Sequence, residues 1–261
     1  MDDLFLLDIP VFKPEYKSDT KYGWTKYKDE LWDLLKETSN GYCMYCYDRV
    51  FINNQRRGQI EHGIERNNFK DRPEKLLDDC IPNLGLACEN CNEKYKKRKE
   101  SSRKLSVEQI QQFELGECNK FNCKKMCPKY VKLRMQYIKK GQILIQPLEN
   151  LLEEDGQILK LQYDLLKGKY IPSKAVMYSE EEEKVIQNHI DHFCLNRPER
   201  ENREITKYCE DVMDNESLLF KIQYNNLMVD LLREKLKKMT LEQAIKICQI
   251  IYTQAYSRNA T

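Results

Sequence analysis

Leu31, Leu34 and Leu35, with Trp32 beside them, recur at the three-to-four spacing of an amphipathic helix, which predicts a helix over 24–38 with Gly41 placed to end it. Beyond Gly41 the period shortens. Val50–Ile52 and Gln59–His62 read as short strands, 73–79 as a short helix opened by Pro73, and Leu84–Ala87 as another strand. Residues 89–99 read as a helix, so 59–99 runs strand, excursion, strand, helix. Ser106, with Gln109 three residues on, marks a further helix start. The runs GQILIQPL and GQILKLQYDL within 141–172 are strand-like and punctuated by Gly and Pro. From Ser179 the pattern is helical. Ser179 and Glu182 make a capping box, and the acidic run Glu180–Glu183 suits the positive end of that helix's dipole. Further helices are predicted over 198–214, 217–238 and 240–256. The fold class expected is α+β, predominantly helical, with one region over 1–140 and a second over 141–261.

Composition narrows the class. A chain of 261 residues can bury a sizeable core. With 41% hydrophobic and 33% charged residues it fits neither a membrane protein nor a disordered one. No apolar run approaches the roughly 18 residues of a membrane span, and the apolar part of the acidic start MDDLFLLDIP is too short for a signal peptide. Eleven cysteines, an odd number with metal-site spacing, favour a reducing cytoplasm over a disulfide framework. The net charge of +2 hides a local excess: 94–140 holds 15 Lys or Arg against 4 Glu.

Two Cys-x-x-Cys pairs, Cys43/Cys46 and Cys88/Cys91, supply the four thiolates of a tetrahedral structural Zn²⁺ site. The 41 residues from Tyr47 to Ala87 exceed the loop of an ordinary zinc ribbon, and within them stand Glu61, His62 and Asn83. Asn92 follows the last cysteine. A His beside a carboxylate offers the parts of metal-assisted hydrolysis: neutral imidazole can take a proton near pH 7, and a carboxylate oxygen suits a hard cation such as Mg²⁺. Neighbours on a regular strand face opposite ways, so the pair can act together only where the strand ends, which Gly63 permits. Asn92, at the start of the next helix, can offer an amide oxygen to the same cation, while Asn83 suits a backbone-bracing role.

This order resembles the HNH endonucleases, the ββα-metal or His-Me finger nucleases. Their zinc-stapled branch runs C-x-x-C, then Asp/Glu-His, then N-x4-C-x-x-C followed by His or Asn. Here the run is Cys43-x-x-Cys46, Glu61-His62, Asn83-x4-Cys88-x-x-Cys91-Asn92. The resemblance covers 43–99. It implies a zinc-stapled ββα-metal core with His62 as general base, Glu61 and Asn92 as ligands of a catalytic Mg²⁺ or Mn²⁺, and Asn83 shaping the loop. A looser likeness takes in FKPEY, the IEH core and HFCLNRPERENRE. These look like the HNH proteins encoded beside an ATPase in bacterial anti-phage systems, the PtuB nucleases of Septu and relatives that accompany some retrons. That likeness implies a PtuA-like ATPase partner, docked by part of 141–261, and an antiviral role. Two departures stand out: EHGIERNN lacks the Pro that commonly follows the acid-His pair, and Tyr95 stands where many members carry Lys.

The bland readings are a purely structural zinc knuckle, a surface or strand-end histidine at His62, and an Asn92 that only bonds a helix start. The basic run Lys94, Lys96, Lys97, Arg98 and Lys99 is ordinarily a solvated face, but beside the site it suits contacts to a nucleic-acid backbone. Cys118, Cys123 and Cys127 form a second cluster, and a second zinc there needs a fourth ligand from Cys80, Cys194, His189 or His192. His189 and His192 otherwise read as structural or surface groups, Cys209 and Cys248 as core, and the Tyr and Trp residues of 22–47 as packing. The expected activity is metal-dependent cleavage of phosphodiester bonds, in DNA before RNA. The alternatives are a nuclease acting on RNA such as tRNA, and an inactive zinc-stabilised nucleic-acid or protein-binding module.

Overall fold

The structure, a computed structural model, describes residues 2–66, 77–114, 124, 126–197, 203–214 and 224–259. Helices and small antiparallel sheets mix in it. Helix α1 (Lys28–Ser39) buries Leu31, Trp32, Leu34 and Leu35, and it ends where Asn40 and Gly41 turn left-handed (φ 52° and 74°). There the Gly41 amide returns to the Lys36 carbonyl at 2.9 Å, the bond that satisfies a helix end. Two short strands, β2 (Phe51–Ile52) and β3 (Gln55–Arg56), are joined by Asn53 and Asn54, both at positive φ, as a two-residue hairpin turn favours.

The hairpin that carries the site follows. Strand β4 (Gly58–His62) pairs antiparallel with β5 (Leu84–Cys88), with Glu61 opposite Gly85 and His62 opposite Leu84. A short π-helical segment, Asn90–Tyr95, comes next. The two strands predicted within 59–99 are therefore present, whereas the helix predicted over 89–99 is shorter, a π-helical segment that gives way to turns at Lys96. Of the helix expected over 73–79, residues 73–76 lie outside the described residues and 77–79 form a turn. Helix α2 (Val107–Glu114) starts at Ser106, which exchanges hydrogen bonds with Gln109. Helix α3 (Pro128–Gly141) packs against α2.

A three-stranded sheet forms from distant segments. Strand β1 (Leu6–Asp8) pairs with β6 (Leu161–Asp164), which pairs with β7 (Lys169–Pro172). This pairing and a continuous buried core from Leu7 to Ile251 both cross the division expected near residue 140. The run GQILIQPL joins no sheet and is irregular: Gly141 ends α3, and Gln142 and Leu148 are left-handed (φ 52° and 78°). Side chains take its backbone instead: His189 Nδ1 accepts from the Leu144 amide at 3.1 Å, Asn150 Oδ1 from the Ile145 amide at 2.9 Å, and Arg134 donates to the Ile145 carbonyl. With its polar groups met that way, the run buries Ile143, Leu144 and Ile145 without a ladder.

Helix α4 (Glu180–His192) carries the capping box of Ser179 and Glu182. Helices α5 (Arg203–Asp214) and α7 (Leu241–Asn259) pack together, and α6 (Leu227–Leu236) docks beside the first cysteine pair. There the Arg49 amide donates to the Asn225 carbonyl at 2.7 Å and the Leu227 amide to the Tyr47 carbonyl at 2.9 Å. The Tyr42 hydroxyl and the Arg49 guanidinium both meet Asp230. Of the helices predicted over 198–214 and 217–238, residues 198–202 and 217–223 lie outside the described residues. Among the described residues no helix is long and apolar enough to cross a membrane.

Candidate metal centre and adjoining cleft

The first cysteine pair sits in a tight turn: the Cys43 amide donates to the Asp48 carbonyl at 2.8 Å and the Tyr47 amide to the Cys43 carbonyl at 2.9 Å. The Met44 amide bonds the Leu86 carbonyl at 2.9 Å, which lays this turn along β5. The second pair sits at the end of β5, where the Cys91 amide points at Cys88 Sγ, 3.4 Å away. All four sulfurs lie within 4.8 Å of one another. Zn–S bonds of about 2.3 Å in a tetrahedron imply sulfurs roughly 3.8 Å apart, and Cys46 and Cys88 are separated by 3.7 Å. The thiol of Cys46 is pushed up by hydrogen bonds to its neighbours and that of Cys91 by burial, while Cys88, accepting from the other three, is held down. Four soft sulfur donors at this spacing fit a structural metal such as zinc. Among the described residues this is the one such group of cysteine, histidine or acidic side chains.

Beside it, where β4 ends, opens a cleft of about 270 Å³ lined by Trp24, Glu61, His62, Asn92, Lys96 and Lys97 among others. Glu61 is only 2% exposed. The Tyr45 hydroxyl donates to its Oε2 at 2.8 Å, and the Lys96 ammonium meets its Oε1. His62, 8% exposed, lies edge-on to Trp24 with ring centroids 5.4 Å apart. Its Nε2 is 3.4 Å from the Asp78 carbonyl oxygen and 3.9 Å from the Asp78 carboxylate, which Arg66 holds with bonds of 2.8 and 2.9 Å. Burial lowers the His62 pKa to about 4 against the pull of Asp78, so the ring is neutral near pH 7. Asn92 donates to Gln59 Oε1 at 2.8 Å, which leaves its amide oxygen as the atom to offer a cation.

The cleft thus brings together Glu61, His62 and Asn92. Asn83 lies behind it, fully buried. Its Oδ1 accepts from the Ile64 amide at 2.8 Å and the Tyr130 hydroxyl at 3.1 Å, and its Nδ2 donates to the Ile64 carbonyl at 3.1 Å. These bonds brace the chain just after the Glu-His pair.

The basic run does not form one face. Lys94, Lys97, Arg98 and Lys99 are exposed, whereas Lys96 is 3% exposed and its ammonium is committed to Glu61 and to the His62 carbonyl. In this structure Lys96 is therefore not part of the exposed basic face on which it was expected. The turn here is wider than α, since the Lys96 amide reaches back five residues to the Cys91 carbonyl at 2.9 Å. Trp24 and Tyr45 also do more than pack around α1, because one covers His62 and the other bonds Glu61. Two further groups escaped the sequence reading. Arg103, fully buried, donates to the carbonyls of Lys96 and Arg98 and pairs with Glu65 at 2.9 Å. Burial pushes Glu65 up to about 7 even though Arg103 pulls the other way. One signal for Lys96 was present: it stands four residues after Asn92, the spacing of a shared helical face.

Of the second cysteine cluster, Cys118 and Cys123 lie outside the described residues, while Cys127 caps α3, its sulfur accepting from the Tyr130 amide at 3.4 Å. Cys80 and Cys194 are buried, His189 is a core acceptor for Leu144, and His192 lies edge-on to Phe193. The chain matches no family model, no curated protein and no solved structure.

Proposed function

We propose that this chain is a metal-dependent endonuclease of the HNH type, cleaving phosphodiester bonds in DNA in preference to RNA. The observation that carries the reading is one cleft lined by Glu61, His62 and Asn92, set beside a four-cysteine cluster with the Cys-x-x-Cys, Glu-His, Asn, Cys-x-x-Cys-Asn order. Glu61 and Asn92 are the residues that would hold Mg²⁺ or Mn²⁺, and the cation, when bound, stabilises charge on the phosphate and the leaving oxygen. With Nε2 turned to Asp78, His62 Nδ1 is the nitrogen able to take a proton from the attacking water. The water oxygen bonds to phosphorus, the ester bond to the leaving sugar oxygen breaks, and that oxygen is reprotonated by solvent. Asn83 and Asp78 hold the ends of the Glu-His turn. Lys94, Lys97, Arg98 and Lys99 give the substrate backbone a cationic approach, which makes binding salt-sensitive.

The outer likeness to the anti-phage nucleases extends the proposal to an ATPase partner bound through part of 141–261 and a role in antiviral defence inside a bacterial cell. Size-exclusion chromatography with that ATPase tests this: co-elution supports it, and two independent peaks at micromolar concentration count against it. One observation favours the alternative of an inactive zinc-stabilised binding module, namely the buried Lys96–Glu61 pair on the proposed metal ligand. A panel of duplex DNA, single-stranded DNA and RNA, incubated with and without Mn²⁺ at fixed zinc loading, separates the readings. Metal-dependent cleavage of any member supports the nuclease. Tight binding with every member intact supports the module.

A further inference from the structure

Lys96 is a buried charge where the sequence leads one to expect an exposed one. A lysine in a run of basic residues ordinarily points to water, yet this one is 3% exposed and lies on the floor of the cleft. Its ammonium touches Glu61 Oε1 and the His62 carbonyl, and the other oxygen of Glu61 takes the Tyr45 hydroxyl. Each charge would be costly to bury alone, and pairing offsets part of that cost. The carboxylate that would ligate a divalent ion therefore already holds a cation, tethered four carbons from the backbone.

We propose that Lys96 is the resident cation of this site: a divalent ion binds Glu61 only by displacing the ammonium, which then moves into the cleft as a contact for an anionic substrate. The inference rests on the reading of Glu61 as a metal ligand. Both oxygens of Glu61 are already engaged, and a divalent ion on Oε1 would lie against the like charge of the ammonium, so the two states oppose one another. The affinity observed for the ion is reduced by the fraction of molecules in which Lys96 has withdrawn. The flexible lysine stem opens onto a cleft that Lys97 and Arg66 also line, so the displaced charge enters the region where a phosphate would lie. An anion that pairs with the displaced lysine then favours the metal-bound state, and by linkage each ligand tightens the other equally. Metal and substrate are loaded together, and either alone is held weakly.

The test uses the full chain, zinc-loaded, with Mn²⁺ as the probe, free Mn²⁺ being read by electron paramagnetic resonance. Lys96→Met keeps the stem and removes the charge. It is expected to bind Mn²⁺ at least about tenfold more tightly than wild type, as removal of a competitor that withdraws in no more than a tenth of molecules requires. Glu61→Gln should abolish this binding in either background. Affinity of Lys96→Met no greater than wild type overturns the proposal. Since that variant leaves Glu61 without its partner and can misfold, a second measurement uses the native chain. Acetic anhydride labelling of Lys96, read by peptide mass spectrometry, should rise severalfold when Mn²⁺ is added, and unchanged labelling at saturating Mn²⁺ overturns the proposal. The outcome is separable from that of the nuclease reading. A chain that cleaves nucleic acid while Lys96→Met leaves Mn²⁺ affinity unchanged defeats this inference alone. A chain that cleaves nothing but shows the Glu61-dependent gain defeats the other alone.

Discussion

Replacing Cys91 by Ser removes one of four sulfurs that lie within 4.8 Å of one another, and the consequence can be sized from where the cluster sits. It fastens the turn at 43–47 to the end of β5 across the 41 residues from Tyr47 to Ala87. Closing a loop of that length restricts the unfolded chain by about 4 kcal/mol in the chain-entropy treatment of cross-links. Structural zinc sites bind with apparent free energies of about 10–16 kcal/mol, comparable with the whole net stability of a domain, about 5–15 kcal/mol. Loss of one ligand should therefore cost several kcal/mol, and removal of the ion should unfold at least the 43–99 segment. The assay is metal content per chain, followed by urea denaturation of wild type, Cys91→Ser and chelator-treated protein. One zinc per chain and a large fall in midpoint for the other two samples are expected. Cobalt substitution should add thiolate charge-transfer absorption, which the variant lacks. An unchanged midpoint after the metal is stripped would refute the reasoning, because the cluster would then be four buried thiols and no staple.

Asn83→Ala leaves the Ile64 amide and carbonyl buried without their partner, and at about 1–3 kcal/mol for each such group the urea midpoint should drop clearly; a silent substitution would remove Asn83 as the brace of this loop. Gly85→Ala places a Cβ 3.0 Å from the Gln146 carbonyl oxygen and 3.5 Å from Glu61 Oε2, so overpacking of about 1–3 kcal/mol is expected in the same assay. Glu65 is raised from 4.5 to about 7, so its stabilising contribution is full below pH 4.5 and is lost as pH rises through 7. At 1.36 kcal/mol per unit that is about 3 kcal/mol, and Glu65→Gln should flatten the wild-type fall in stability between pH 4.5 and 7.5; parallel profiles would reject the assignment.

Local chemistry was the readable part of this chain. The Ser179–Glu182 box, the Ser106–Gln109 exchange and the left-handed Asn40–Gly41 stop depend on residues three or four apart, and each appears where the pattern places it. The two short runs read as strands, Gln59–His62 and Leu84–Ala87, pair as a hairpin whose far strand carries Cys88 to the first cysteine pair. What was missed depends on distant partners. Strand β1 exists because β6, more than 150 residues later, offers its edge. GQILIQPL has strand composition, yet Arg134, Asn150 and His189 take its backbone groups, and no local pattern announces three separate side chains converging on one run. Lys96 looked like its neighbours because polarity alone cannot say that a carboxylate lies buried beneath one lysine of a basic run. Glu65 and Arg103 were overlooked for the same reason, as two ordinary surface types that find each other inside.

The central claim is that Glu61, His62 and Asn92 form a hydrolytic site. The measurement that tests it most directly is cleavage of plasmid DNA and total RNA by wild type and His62→Ala, with Mg²⁺, Mn²⁺ or neither, and with zinc content determined on the same samples. The account predicts divalent-dependent cleavage by wild type that falls about 10²–10⁴-fold in the variant, the usual worth of a general base, while zinc content stays the same. Equal cleavage by both proteins would contradict it.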